Sequence, residues 1–353
     1  MKKTPINAAV AASSVSLMDL SRDQLMLLAL CTVAVAAVLA WLLGRRSGGG
    51  KGEDKSVGLR RAEANSSSGN LTAMDDDRVL NPLKFRAFKV VSSTQVSHNT
   101  KLIRFAIPGD RPLGLPIGRH IALRAEIDGN QVIRSYTPTS RSDTKGYFEL
   151  LIKSYEYGKL SPHLHALKVG GTADVRGPVG RFRWEKNKYP VVGLIAGGTG
   201  LTPCLQVIRC ILQGPEGEGD TTKFVLLFQN RTENDILLRR ELEDLQSEFS
   251  SRLHVVFFLS NCADAAWGVS SSGGGVLAIG HPSASGSGKV QHVRGYIDTQ
   301  AISTLLSPSG RGAGAGAGAG CSYVGLCGPS GFNEAMKGLL EAAGHNDESI
   351  HIF

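Results

Sequence analysis

Four continuous apolar runs in the C-terminal half constrain the fold more than any other feature: Val191–Ala196, Phe224–Phe228, Val255–Leu259 and Tyr323–Cys327. Each is about one strand long, and amphipathic stretches such as Thr202–Leu212 and Leu238–Phe249 lie between them. A strand that is apolar on both faces must be covered on both, as happens in a parallel sheet flanked by helices. The pattern predicts a parallel-sheet α/β domain over residues 187–353. Ligands of such sheets bind beyond the carboxyl ends of the strands.

Upstream the texture changes. Phe85–Ser92, Lys101–Ile107, His120–Ile127, Gln131–Tyr136 and Tyr147–Lys153 are short β-rich runs, some alternating in polarity as in Leu123, Ala125 and Ile127. Asp128-Gly129 marks a hairpin turn between two of them. Residues 80–186 therefore read as an antiparallel β-barrel or sandwich. A chain of 353 residues has room for both domains and a tail.

The expected tail has three parts: an N-terminal segment 1–24, a membrane anchor 25–43 and a flexible linker 44–79. Leu25 to Leu43 is nineteen residues without a charge, with Trp41 near its end; as a helix it spans roughly the 30 Å hydrocarbon core. A cleaved signal peptide fits less well, since the run is long and starts far from Met1. Arg45, Arg46, Lys51, Lys55, Arg60 and Arg61 follow the run, against Lys2, Lys3 and Arg22 before it. The positive-inside rule then puts the C-terminal part in the cytosol, on the endoplasmic reticulum or the mitochondrial outer membrane.

Most of the formal charge of +8 falls after the linker. A basic domain attracts an acidic protein or a phosphate-bearing ligand. Nucleic acid is the weakest of the partners, because no Lys/Arg block is interleaved with aromatics. The six cysteines form no C-x-x-C pair and have no His at zinc spacing, so they read as reduced thiols with no metal site. Two low-complexity insertions, 270–288 and 307–320, read as disordered surface loops.

Three segments look chemical. In Arg134-Ser135-Tyr136-Thr137-Pro138, residues two apart share a strand face, so Arg134 and Tyr136 can address one ligand, a guanidinium to phosphate and a ring to a flat cofactor. Gly158-Lys159-Leu160-Ser161-Pro162 reads as a helix start, with Ser161 as N-cap and free backbone N–H groups for a pyrophosphate. Gly197-Gly198-Thr199-Gly200-Leu201-Thr202-Pro203 is a Gly-rich turn into a helix, with Thr202 as the expected cap. Pro203 stands where the ordinary dinucleotide fingerprint has its third glycine. Taken singly, each has a bland reading as surface charge, core ring or plain cap.

Their order and spacing resemble the NADH-cytochrome b5 reductase family. The resemblance runs through Leu115-Pro116-Ile117-Gly118-Arg119-His120, the R-x-Y-T-P segment, Leu151-Ile152-Lys153-Ser154-Tyr155, G-K-x-S, Arg176-Gly177-Pro178 and the G-x-G-x-x-P loop. It continues through Gln229-Asn230-Arg231-Thr232, Asp235-Ile236-Leu237-Leu238 and Cys327-Gly328-Pro329 to the terminal aromatic Phe353. It covers roughly Leu80 to Phe353. It implies FAD bound by Arg134, Ser135, Tyr136 and Thr137, with Leu151, Lys153 and Tyr155 lining the site and Gly158, Lys159, Leu160 and Ser161 cradling the pyrophosphate. Gly198, Thr199, Gly200, Cys327, Gly328 and Pro329 would place nicotinamide, and Thr202, at the junction of both sites, would touch the flavin. Thr202, Cys327 and Lys153 are the expected catalytic residues, Lys153 by stabilising reduced flavin. His120, Cys204 and Cys210 are read as structural.

There are two departures. Asn261 stands where the family usually has an acidic residue at the adenine ribose, which keeps hydrogen bonding but removes the repulsion of a 2′-phosphate, so NADPH stays open beside NADH. Ser330 replaces a second proline after Cys-Gly-Pro. The implied activity is hydride transfer from the nicotinamide to FAD and single-electron delivery to cytochrome b5 or a similar haem protein. Alternatives are a diaphorase with a quinone or ferric acceptor, and a catalytically silent redox scaffold.

Overall fold

The structure, a computed structural model, describes residues 78–262, 269–270, 290–308 and 320–353. The expected anchor at Leu25–Leu43, nearly all of the linker, Trp267 and most of both insertions lie outside the described residues. Among the described residues no helix is long and apolar enough to cross a membrane.

The first half forms one antiparallel sheet: β1 (Arg86–Ser97), β2 (Thr100–Ala106), β3 (His120–Ile127), β4 (Asn130–Tyr136), β5 (Tyr147–Lys153) and β6 (Thr172–Val179), in the order β4-β3-β6-β1-β2-β5. Asp128 and Gly129 both have positive φ, 52° and 70°, and join β3 to β4 in the tight turn whose twist suits a hairpin. Phe88, Val90, Ile103, Phe105, Ile121, Val132, Phe148, Leu150 and Val175 meet in one core cluster. Side chains from all six strands can share a single cluster only if the sheet curls around it. The two edge strands, β4 and β5, carry the expected cofactor residues. A short helix, α1 (Leu160–Ala166), follows β5.

The second half is a seven-stranded parallel sheet of β7 (Val191–Gly197), β8 (Lys223–Asn230), β9 (Leu253–Leu259), β10 (Val269–Ser270), β11 (Gln291–Arg294), β12 (Tyr323–Cys327) and β13 (Ile350–Ile352). Its order is β10-β11-β9-β8-β7-β12-β13. Helices α2 (Leu201–Leu212), α3 (Arg239–Glu248), α4 (Thr299–Leu305) and α5 (Ser330–Ala342) connect the strands. Two separate clusters pack on the sheet: Leu194, Phe224, Leu226 and Phe228 against α2 and α3, and Ile195, Val225, Leu227 and Val324 against α4 and α5. The continuous apolar runs are thus covered on both faces. Chain order reverses between β7 and β12, so a crevice opens at their carboxyl ends.

The halves are joined chiefly through α2. Gln206 accepts from Gly118 N at 2.9 Å and donates to Arg119 O at 3.1 Å, while Arg209 bonds Thr139 O on one side and Glu241 on the other. Leu151 and Phe182, from the first half, are buried in the α2/α3 cluster of the second. Buried polar bonds with apolar contacts around them fix one relative placement of the two sheets.

Candidate active site

The chain ends of β4 and β5 face those of β7 and β12 across a cleft of about 570 Å³. One wall presents Arg134, Ser135, Tyr136, Thr137, Leu151, Lys153 and Tyr155; its floor is Gly158, Lys159, Leu160 and Ser161. The opposite wall is Thr199, Gly200, Thr202, Cys327 and Gly328. These groups belong to different sheets, and the cleft brings them together. Gly198, Pro329 and Asn261 do not line it. Gly198 sits just outside with φ +55° and open space where a side chain would go. Pro329 precedes α5 at its N-cap. Asn261 is exposed beyond the end of β9, its backbone N–H bonded to Arg231 O at 2.8 Å.

Both expected caps are corrected. The helix after Gly158 starts at Leu160 with Lys159 at the cap position, so Ser161 lies inside the first turn. It is buried, and a Cβ on Gly158 would meet its Oγ at 2.8 Å. A 3-10 turn, Gly198–Gly200, feeds α2 and puts Gly200 at the cap, so Thr202 is the second helical residue and donates to Thr199 O at 3.2 Å. In both cases the helix begins two residues earlier than the hydroxyl suggests. His120, read as structural, also lines the cleft beside Gly180; burial and then the Arg119 charge lower its pKa.

Arg134 and Tyr136 do share a face, as strand alternation requires. The Arg134 guanidinium bonds Ile133 O at 2.8 Å and is otherwise exposed. Burial pushes the Tyr136 phenol up to about 12, with Arg134 opposing and Tyr155 adding to the rise, so the ring stays neutral and able to donate. Two groups bridge the walls: Lys153 Nζ lies 3.2 Å from Asp235 Oδ1, and the Tyr155 and Thr199 hydroxyls are 3.3 Å apart. Burial also raises the Cys327 thiol to about 11, so it is uncharged and serves by shape.

The lining fits a flat, anionic cofactor. Arg134, Lys153 and Lys159 are cations, and among the described residues no Asp or Glu lines the cleft. Donor-only chemistry suits a pyrophosphate, and the ring of Tyr136 beside it suits an isoalloxazine. Close packing sets the opposite wall. A Cβ on Gly200 would lie 2.1 Å from Cys327 O, so only glycine lets the β7 turn approach β12. Gly328 is likewise filled by the Phe332 ring, 2.3 Å from where its Cβ would stand.

Comparisons with known proteins agree with this geometry. Residues 87–184 match the family model described as an oxidoreductase FAD-binding domain, and residues 194–272 match an oxidoreductase NAD-binding domain. NADH-cytochrome b5 reductase 1 of Cryptococcus neoformans is 39% identical over 271 residues, 76% of this chain and 82% of that protein. The chain belongs to the NADH-cytochrome b5 reductase family. The family's protein from Dictyostelium discoideum is 37% identical, with 78% of this chain and 84% of that one covered. Among solved structures, the cytochrome b5 reductase domain of Ulva prolifera nitrate reductase superposes with a TM-score of 0.63 at 30% identity, covering 78% of this chain and all of that one.

Several residues lining the cleft lie outside the set expected from sequence. Gly118 enters because φ +67° turns the chain beneath Phe182. Pro203 lines the cleft beside Thr202, and Phe353 lines it as well, with its ring against Phe182 at 5.3 Å and over Gly325. Tyr157, 93% exposed, stands on the rim. Only a matching segment marks Gly118 and no local pattern marks Tyr157, since the place of each depends on the tertiary fold. Asp235 stands behind Lys153 and was visible only as part of a matching segment.

Proposed function

We propose that this chain oxidises NADH through FAD and reduces cytochrome b5. The observation that carries the reading is the single cleft in which the Arg134–Thr137 edge strand and the Gly-rich turn of the parallel sheet face each other. Bound there, FAD would supply the chemistry, accepting hydride and releasing electrons singly. The chain's residues bind, orient and exclude water. Arg134 and Lys159 are placed to meet phosphate, Tyr136 and Thr137 to meet the flavin ring, and Gly158 with Ser161 to leave room for the linking pyrophosphate. Thr202 stands between the two cofactor positions. Thr199, Cys327 and Gly328 offer the nicotinamide a wall with no charge on it, supported by Gly198 and Pro329 from outside. No acid–base pair is required, because the transferred hydrogen passes between cofactors.

Asn261, exposed at a strand end on the nucleotide side, supports use of NADPH as well as NADH. The basic excess supports attraction of an acidic haem protein. Residues 25–43 would anchor the chain to a membrane with the catalytic part cytosolic, on the endoplasmic reticulum or the mitochondrial outer membrane. A shared membrane raises the effective concentration of an anchored partner.

Stopped-flow absorbance of the flavin band tests this. NADH should bleach the purified protein and oxidised cytochrome b5 should restore the band; NADPH should bleach it too. A protein that carries no flavin, or is bleached by neither nucleotide, overturns the reading.

A further inference from the structure

Of the three cations in the cleft, Lys153 is the one with an ion pair among the described residues. Its ammonium lies 3.2 Å from Asp235, and each side chain is only 17% exposed. The partners come from different sheets. Lys153 ends β5, whereas Asp235 closes the 3-10 turn Glu233–Asp235 after β8. Asp235 is held in turn: its Oδ2 accepts from Thr232 N at 3.2 Å and from Thr232 Oγ1 at 2.8 Å, a reciprocal cap on the turn. Burial works against the carboxylate, but the bonds from Thr232 and Lys153 outweigh it and hold the carboxyl below its usual range. The anion is therefore fixed to the nucleotide-binding sheet before any ligand arrives.

A lysine stem left free samples many rotamers, and ordering it costs conformational entropy. An ammonium has three donors. Asp235 takes one, leaving two for the cleft.

We propose that Asp235 is a positioning residue for nucleotide binding: it reaches from the parallel sheet to fix the Lys153 ammonium, which then offers its remaining donors to the ribose–pyrophosphate of NADH. This rests on the function proposed above. Arg134 and Lys159 have no ion pair among the described residues and keep their full charge for FAD. Lys153 acts through orientation, since its charge is already balanced. Asp235 thus affects NADH without touching it.

The test uses the full-length holoprotein with ferricyanide as acceptor, so that cytochrome binding does not enter. Asp235→Asn should raise KM for NADH about tenfold, leaving kcat within about twofold and FAD content unchanged, the signature of lost uniform binding. Lys153→Met should raise KM for NADH at least as far, and the double variant should raise it no further than Lys153→Met alone, because both remove one interaction. If Asp235→Asn does not fold, Asp235→Glu carries the same cycle: the longer carboxylate displaces the ammonium, so it should raise KM when Lys153 is present and leave KM unchanged when combined with Lys153→Met. Effects that add in the double variant, or an Asp235 variant with reduced thermal stability and unchanged KM, would overturn the inference while FAD reduction by NADH still upheld the broader function. A wild-type protein without flavin would remove both.

Discussion

The two walls of the cleft are built by opposite means. The β4/β5 wall lines the cleft with side chains, Arg134, Tyr136, Lys153 and Tyr155, carried on or just after edge strands. The β7/β12 wall offers mostly backbone, in a turn so tight that Gly200 has a carbonyl where its Cβ would be. A side-chain wall can lose one contact and keep its shape. A backbone wall cannot accept one added atom without moving a strand.

The largest effect should separate the walls outright. Gly200→Ala forces a methyl onto Cys327 O and is expected to cost about 3 kcal/mol of stability, at the upper end of overpacking. Gly198→Ala meets no atom within 4 Å and bears only its positive φ, a cost of about 1 kcal/mol. Urea unfolding of both variants measures the gap, and equal losses would break the distinction. On the other wall, Arg134→Ala should lower FAD affinity about tenfold to a hundredfold, the range of a charge-assisted hydrogen bond. Stability of the flavin-free protein should stay within about 0.5 kcal/mol, as for exposed sites. Flavin titration alongside thermal melting reads both quantities.

Asn261→Asp should shift selectivity towards NADH over NADPH by about tenfold, the effect of one restored like-charge repulsion near a surface. The ratio of kcat/KM for the two nucleotides measures it, and no change would place the adenine ribose elsewhere. The smallest effect concerns Cys327. Its thiol ordinarily titrates near 9.0 and is raised to about 11 here. Well below pH 9 it is neutral folded or unfolded and contributes no pH dependence. As pH rises from 9 towards 11 the unfolded chain ionises first, so stability falls. Cys327→Ser should lose less stability than the wild type between pH 8 and pH 10 in paired urea titrations.

Much of this was legible in the residues. Hydrophobic period is a local property, so strand alternation in the first half and continuous runs in the second were both readable, as was the Asp128-Gly129 hairpin. The Arg134/Tyr136 pairing followed from alternation alone. Less local features were misread. Ser161 and Thr202 looked like caps because a hydroxyl before an apolar helix often is one, yet a preceding tight turn shifted each helix start upstream. His120 gave no sign of facing the cleft, because exposure depends on what packs over the opposite face.

Residue order alone was enough for the two kinds of sheet, their succession along the chain and the motifs at the strand ends, because each depends on residues a few positions apart. Three facts came from tertiary packing: β4 and β5 are the edges that face β7 and β12, Gly118, Tyr157 and Phe353 complete the cleft, and Lys153 is tied to Asp235. Those facts depend on contacts between residues far apart in the chain. Such contacts are chosen by packing and by the pairing of buried charge, neither of which leaves a local periodic signal.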